Sequence, residues 1–137
     1  MTLLHAFAIP VVRLILTDSE EKVLLLRRTR CRYYEGWWCL PGGKVEYGQS
    51  VQGVIRKELR EETNLTLSSS RFLFFQDCLP VNDGDLHCID LYFKCEWSGL
   101  VRLNSESSEF VWADRSEIGN YNLAFGNDEA LRRYCAR

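Results

Sequence analysis

Three acidic residues fall within about one turn of a predicted helix, where their carboxylates could bind a divalent cation. The helix is predicted over SVQGVIRKELREETNL, residues 50–65, and carries Glu58, Glu61 and Glu62 at positions i, i+3 and i+4. On a helical wheel, Glu58 and Glu62 lie within the apolar face and Glu61 lies at its edge. Crowded carboxylates that face a core repel one another and lose hydration, so this group requires a compensating charge.

Two sources of that charge are open. Basic residues from another part of the fold could pair with the carboxylates, since the wheel places the helix's own basic residues on the opposite side. Alternatively, Mg²⁺ accepts carboxylate oxygens and keeps water or substrate phosphates in its remaining positions. The upstream glycines, Gly42 and Gly43, would let backbone groups approach the same ion or its phosphate ligand. This pattern favours metal-assisted attack on a phosphoanhydride, with Mg²⁺ as cofactor and Mn²⁺ as a substitute.

The composition is typical of one folded domain and argues against several function classes. The chain has 137 residues, enough for a single domain with a core over 1–137. A net charge of −2 does not favour sequence-independent electrostatic binding of nucleic acid. The apolar N-terminal run is interrupted by His5, Pro10 and Arg13 and is too short to span a bilayer. We therefore expect a cytoplasmic protein that binds neither nucleic acid nor membrane.

The acidic helix must be positioned by strands that the sequence predicts on both sides of it. Ser50 is a plausible N-cap for this helix, and Asn127 or Asp128 could cap a final one. Strands before, between and after two helices indicate an α/β or α+β domain with a mixed sheet between the helices. The other predicted elements are strands at 7–16, 22–28, 71–78, 86–97 and 109–113, an aromatic loop at 31–43, and a helix at 127–137.

The segment from 43 to 65, GKVEYGQSVQGVIRKELREETNL, resembles the Nudix box, the 23-residue signature of the Nudix hydrolases. The flanking segments GWWCLPGG, KVLLLRR and ESSEFVWADRSEI also resemble those of the family, so the resemblance covers most of the chain. It implies a Nudix-type α/β/α sandwich and, because the chain is short, a small MutT-like member. The matching box residues are Gly43, Glu58, Leu59, Glu61, Glu62 and Leu65.

Three positions depart from the family pattern. Gln49 stands where the family has its first box glutamate, Lys57 replaces an arginine, and Asn64 replaces the second glycine. Gln49 removes a negative charge, while Lys57 keeps its charge but lacks the planar fork that can hold two carboxylates. Asn64 is a mild change, because Asn tolerates the left-handed conformation that ends such a helix. With the other glutamates present, we expect an active enzyme.

The resemblance assigns roles to residues of the box. Glu58 and Glu62 would be direct Mg²⁺ ligands, and Glu61 would bind a further metal or its water shell. The carbonyl of Gly42 looks like the backbone ligand, and Lys57 would orient the glutamates.

Outside the box, the resemblance points to two more positions. Arg28 matches the family's arginine near the substrate phosphates, although an exposed strand-end arginine is the alternative. Glu106, six residues before Trp112, matches a late glutamate that serves as metal ligand or general base, and Glu109 is the other candidate. Both glutamates could instead be solvated loop acids.

Two further residues are candidates for contacting substrate. Trp38, in an aromatic cluster, could stack on a base, but aromatic residues at this density are also typical of core packing. His87 follows a predicted hairpin turn and could contact substrate, or it could be a packed strand residue.

The resemblance implies a Mg²⁺-dependent hydrolase, monomer or homodimer, that cleaves the diphosphate linkage of a small-molecule nucleotide, most simply a nucleoside triphosphate. Pro80, fifteen residues beyond Leu65, is a weak hallmark of ADP-ribose hydrolysis, so an ADP-ribose or nucleotide-sugar pyrophosphatase is the alternative. A hypothesis of another class is a non-catalytic nucleotide-binding or sensor module, which the changes at Gln49 and Lys57 keep open.

Overall fold

The structure, a computed structural model, describes residues 7–136 and contains two β-sheets with helices on either side. The first sheet has the order β4-β1-β6-β5 and is mixed, because β1 and β6 are parallel and the other neighbours antiparallel. The second sheet, β3-β2-β7, is antiparallel. The elements are β1 Ala8–Ile15, β2 Val23–Arg28, β3 Trp38–Cys39, β4 Gly42–Lys44, α1 Val51–Thr63, β5 Thr66–Cys78, β6 His87–Ser98, β7 Ser107–Ala113, a 3-10 helix Ile118–Asn120, and α2 Asn127–Cys135.

Two apolar clusters lie on opposite sides of the strands. Successive strand side chains point to opposite faces, so Leu14 joins the cluster of α1 while Ile15 joins the cluster of α2. Helix α1 contributes Ile55 and Leu59 to the first cluster, and α2 contributes Leu131 to the second. The expected arrangement of sheets between helices is therefore confirmed. Within residues 7–136, no helix is long and apolar enough to cross a membrane.

Helix α1 begins and ends as its sequence predicts. The Gly53 amide donates a hydrogen bond to the hydroxyl of Ser50 across 3.0 Å, which caps the first turn. Asn64 follows the last turn with φ of 68°, in the left-handed region, and its amide donates to the Arg60 carbonyl at 3.0 Å. The predicted N-cap and the predicted tolerance of Asn64 for this conformation are both confirmed.

The predicted cap of α2 is wrong. The N-cap residue is Gly126, and no side chain caps the helix there. Asn127 is buried and instead links α2 to the sheets: its Oδ1 accepts from the Leu40 amide at 2.9 Å, and its Nδ2 donates to the Tyr92 hydroxyl at 3.0 Å. These long-range partners are invisible in the local sequence. The predicted end of the helix at residue 137 lies outside the described residues.

Two other predicted boundaries differ from the structure by more than two residues. The aromatic segment 31–43 is not all loop, because β3 and the start of β4 lie within it and pair with Arg27 and Arg13. Strand β5 begins at Thr66 rather than at residue 71, since its first residues pair with the end of β6. Both differences arise from pairing with strands that are distant along the chain.

Candidate active site

Helix α1 places the carboxylate of Glu62 against the first residue of β4. The Gly42 amide donates to Glu62 Oε1 at 3.1 Å, and the Glu62 residue is only 8% exposed. Burial raises the pKa of Glu62 to about 8. The Gly42 hydrogen bond and Arg13 oppose this rise, while repulsion from Glu58 and Glu106 adds to it. This carboxylate therefore lies where a positive charge would stabilise its ionised form.

An added side chain at either of the two glycines before the helix would collide with a neighbouring group. A Cβ atom at Gly43 would lie 2.6 Å from Cδ of Glu58, and one at Gly42 would lie 2.0 Å from the carbonyl oxygen of Val12. Glycine is thus required at position 42 for β4 to approach the backbone of β1, and a side chain at position 43 would displace the Glu58 carboxylate.

Lys57 lies between two of the acidic side chains. Its Nζ is 3.8 Å from Glu58 Oε1 and 3.9 Å from Glu61 Oε2. Burial raises the pKa of Glu58, Lys57 opposes this, and Glu61, Glu106 and Glu46 add repulsion. The expectation that the helix's basic residues all lie away from the carboxylates is therefore wrong for Lys57. A long side chain can reach neighbours that the wheel position of its Cβ does not indicate.

The two late glutamates have different surroundings. Glu106 precedes β7, and its repulsion adds to the burial that raises the pKa of Glu58 and of Glu62. The carbonyl of Glu106 accepts from the Thr29 amide at 3.0 Å, which ties this loop to the end of β2. Glu109 instead forms an exposed ion pair with Arg27 at 2.7 Å. Of the two, Glu106 is the one that contributes its charge to the group on α1.

The donors of this acidic group suit a hard divalent cation. Among residues 7–136, no three His, Cys, Asp or Glu side chains are gathered closely enough to hold a metal by themselves. Glu58 and Glu62 nevertheless offer carboxylate oxygens that repel each other. Mg²⁺ completes its octahedron with water and substrate phosphates, so an open set of one or two protein carboxylates fits this ion.

A cleft of about 280 Å³ opens beside Gly42 and Gly43. Arg28, at the end of β2, lines it, and the Arg28 Nε donates to the Tyr33 carbonyl at 3.1 Å. The Arg28 guanidinium lies 4.6 Å from the ring centre of Phe125, which also lines the cleft. A cleft with cationic groups and an aromatic ring next to crowded carboxylates suits a ligand with both anionic and aromatic parts.

The structure does not bring Trp38 and His87 to this cleft. The Trp38 ring packs edge-to-face on Tyr121 at 5.2 Å, beside the cluster of α2. His87 neighbours Cys88, which lines the cleft, and adjacent strand residues point to opposite faces. A substrate role for either residue stays a prediction that the cleft geometry does not support.

Two charged residues of the site were not selected from the sequence. Arg13 on β1 lines the cleft, and its Nε lies 3.5 Å from Oδ2 of the fully buried Asp90 on β6. From the sequence, Arg13 was interpreted only as a charge that interrupts the N-terminal apolar run. Each of these residues sits inside an apolar strand, and that pattern is the signal that could have identified them.

Comparison with known proteins agrees with this geometry. The family model for the NUDIX domain matches residues 8–134. The chain is also 31% identical over 123 residues to the uncharacterized Nudix hydrolase YvcI of Bacillus subtilis (strain 168), covering 83% of this chain and 72% of the relative. The chain belongs to the Nudix hydrolase family.

Other known proteins resemble the chain in sequence or in fold. The nucleoside triphosphatase NudI of Escherichia coli (strain SE11) is 29% identical over 108 residues, covering 72% of this chain and 77% of the relative. The MutT protein from Methanosarcina mazei Go1 superposes with a TM-score of 0.84 at 25% identity, covering 94% of each chain. The NUDIX domain of Shewanella oneidensis NrtR, solved with ADP ribose, has the same fold at 19% identity, with a TM-score of 0.78 and coverage of 96% and 90%. The expected small MutT-like Nudix fold and hydrolase class are confirmed.

Proposed function

We propose that this Nudix hydrolase cleaves the diphosphate linkage of a nucleoside triphosphate with the help of Mg²⁺. The observation that carries the proposal is the position of Glu62 and Glu58 against Gly42 and Gly43, at the edge of a cationic cleft. The similarity to a protein named nucleoside triphosphatase supports the choice of substrate.

Glu58 and Glu62 would hold the cation, with Glu61 bound to its water shell or to a further ion. When bound, Mg²⁺ lowers the pKa of an attacking water and neutralises charge that develops on the phosphates. Lys57 would orient Glu58 and Glu61, whose carboxylate oxygens lie 3.8 and 3.9 Å from its Nζ. The backbone at Gly42 contributes to the site through its amide, which holds the Glu62 carboxylate in place.

The remaining roles fall to groups on other elements. Glu106 would accept the proton of the attacking water, because its carboxylate comes from a separate loop and repels the helix carboxylates across the site. Arg28 would bind the phosphates with its guanidinium, which the Tyr33 carbonyl orients. The apolar part of the cleft, which includes Phe125, would hold the nucleoside.

A panel of nucleotides incubated with Mg²⁺ and separated by chromatography tests the proposal. The panel contains nucleoside triphosphates, nucleoside diphosphates, ADP-ribose and a nucleotide sugar. We expect triphosphates to be cleaved fastest, excess chelator to abolish cleavage, and Glu62→Gln to lower kcat by more than about 100-fold. If only ADP-ribose or only the nucleotide sugar were cleaved, that compound would be the substrate in place of a nucleoside triphosphate. Binding of nucleotides by calorimetry without any turnover would instead indicate a sensor module.

A further inference from the structure

A buried ion pair lies directly behind the cleft. Arg13 and Asp90 occupy the neighbouring parallel strands β1 and β6, and their side chains are 10% and 0% exposed. Within the described part of the chain, Arg13 Nε and both carboxylate oxygens of Asp90 have no hydrogen-bond partner. Buried polar atoms left in this way cost free energy, so core packing alone does not account for the pair.

The Arg13 side chain faces the cleft from this buried position. Its guanidinium lies 4.3 Å from the ring centre of Phe125, the same ring that Arg28 contacts at 4.6 Å. The two arginines differ in their other polar contacts. Arg28 donates to a backbone carbonyl, whereas the Asp90 carboxylate offsets part of the charge of Arg13. Arg13 can therefore present hydrogen-bond donors to the cleft that it lines.

The charged side chains that line the cleft are all hydrogen-bond donors. The charged side chains that line it are Arg13, Arg28 and Lys44, and none of the described lining residues is acidic. A guanidinium and an ammonium only donate hydrogen bonds. A base in this cleft would therefore need to present acceptor atoms to Arg13, and an amino group there would meet another donor.

We propose that Arg13, positioned by Asp90, makes the enzyme prefer nucleotides whose base carries a keto group over those whose base carries an amino group at the same position. A keto oxygen at C6 of a purine or C4 of a pyrimidine accepts from the guanidinium, as guanine O6 does in arginine contacts to DNA. Adenine and cytosine place an NH₂ donor there. Arg13 is the specificity-determining residue and Asp90 a positioning residue. The inference rests on the proposed hydrolysis of nucleoside triphosphates.

Two matched pairs of substrates isolate this contact. ITP and ATP, like UTP and CTP, differ in the keto or amino group and the adjacent ring proton. We expect kcat/KM to favour the keto member of each pair by about 10-fold or more, mostly through KM. The double variant Arg13→Met/Asp90→Asn should bring both ratios close to one. The double change is chosen because removing one partner alone leaves a buried, uncompensated charge.

A surface ion pair provides the matched control. Arg132 and Asp128 on α2 lie at the same N–O distance of 3.5 Å and are exposed. Arg132→Met/Asp128→Asn should therefore leave both ratios unchanged. Arg13→Lys, which can retain the ion pair but loses the planar fork, should lower the ratios and covers the case in which the double variant does not fold.

The outcomes separate this inference from the proposed function. Ratios near one in the wild type, or ratios kept by Arg13→Lys and the folded double variant, would overturn the role of Arg13. If the wild type hydrolyses none of the four nucleotides, the proposed function fails. Calorimetric Kd values for the four nucleotides in chelator then still decide the inference, since a keto preference in binding that Arg13→Lys reduces supports it and equal affinities overturn it.

Discussion

The amide of Gly42 donates a hydrogen bond of 3.1 Å to the carboxylate of Glu62, which joins β4 to the last turn of α1. The bond thereby links the strand before the mostly exposed loop 45–50 to the helix that follows it. It also fixes a buried carboxylate at the edge of the cleft, where the substrate's phosphates would meet the cation. Predictions for the site begin with this contact.

Glu62→Gln should lower kcat by more than about 100-fold. Substitution of a residue that only supports a metal ligand lowers metal affinity or activity by about 10–100-fold. Loss of a direct ligand should therefore lower activity further. The amide side chain can still accept from Gly42, and the fold should persist. Steady-state kinetics with saturating Mg²⁺ measure the effect, and circular dichroism checks the fold. Activity close to that of the wild type would remove Glu62 from the metal site.

The metal-free protein should lose stability as the pH rises from about 4.5 to 8. The pKa of Glu62 is about 8 in the folded state and ordinary in the unfolded chain, so the folded state binds the extra proton within this window. Stability linked to that proton is present at low pH and is lost as the pH passes the folded-state pKa. Urea unfolding of the wild type and Glu62→Gln in chelator, across this pH range, measures the difference.

In the same experiment, Glu62→Gln should be the more stable protein above pH 8, because it removes a buried charge. Addition of Mg²⁺ should stabilise the wild type more than the variant. A constant difference in the free energy of unfolding between the two proteins from pH 4.5 to 8 would contradict the raised pKa of Glu62.

Glu106→Gln should lower kcat by about 10²–10⁴-fold with little change in KM, the usual share of general-base catalysis. Glu109→Gln is the matched control, since Glu109 is occupied by an exposed ion pair with Arg27, and such pairs contribute little. We expect its kinetics to stay near those of the wild type. If the effects were reversed, Glu109 would be the proton acceptor, and two mild effects would place the base among the helix glutamates.

Gln49→Glu should lower the Mg²⁺ concentration that gives half-maximal activity. Gln49 Oε1 accepts from the Glu46 amide at 2.9 Å, and the Glu46 carboxylate is close enough to Glu58 to raise its pKa. A carboxylate at position 49 keeps the hydrogen bond and adds negative charge near the cation. Rates titrated against Mg²⁺ for both proteins test this, and identical midpoints would show that position 49 lies beyond the field of the metal.

Asn64→Ala should destabilise the protein by roughly 1 kcal/mol, since alanine tolerates the left-handed φ of 68° less well than Asn does. The expected fall in Tm is about 3–5 °C. Both substitutions remove the long hydrogen bond from the Asn64 side chain to the Leu100 carbonyl. Glycine, however, adopts this conformation freely, so the free energy of unfolding of Asn64→Gly should stay within about 0.5 kcal/mol of that of the wild type. Calorimetric melting of the three proteins decides between them.

The sequence by itself determined the features that depend on local spacing. The 3.6-residue period placed Glu62 on the buried face of α1, and Ser50 and Asn64 fixed where that helix begins and ends. The glycines at 42 and 43 predicted that the backbone there approaches other groups closely. The structure shows this approach to Val12 and to Glu58. Each of these inferences needs only neighbouring residues and the geometry of a single element.

Only the tertiary structure decided the contacts between residues that are distant along the chain. The spacing to Trp112 could not show that Glu109 is held by Arg27 while Glu106 acts on the helix carboxylates. The sequence predicted Asn127 as a helix cap, but its side-chain amide forms hydrogen bonds with Leu40 and Tyr92 instead. The pairing of Arg13 with Asp90 likewise depends on the register of two parallel strands that lie more than half the chain apart. A side chain's partners are set by which strands lie side by side, and hydrophobic periodicity within one element carries no information on that choice.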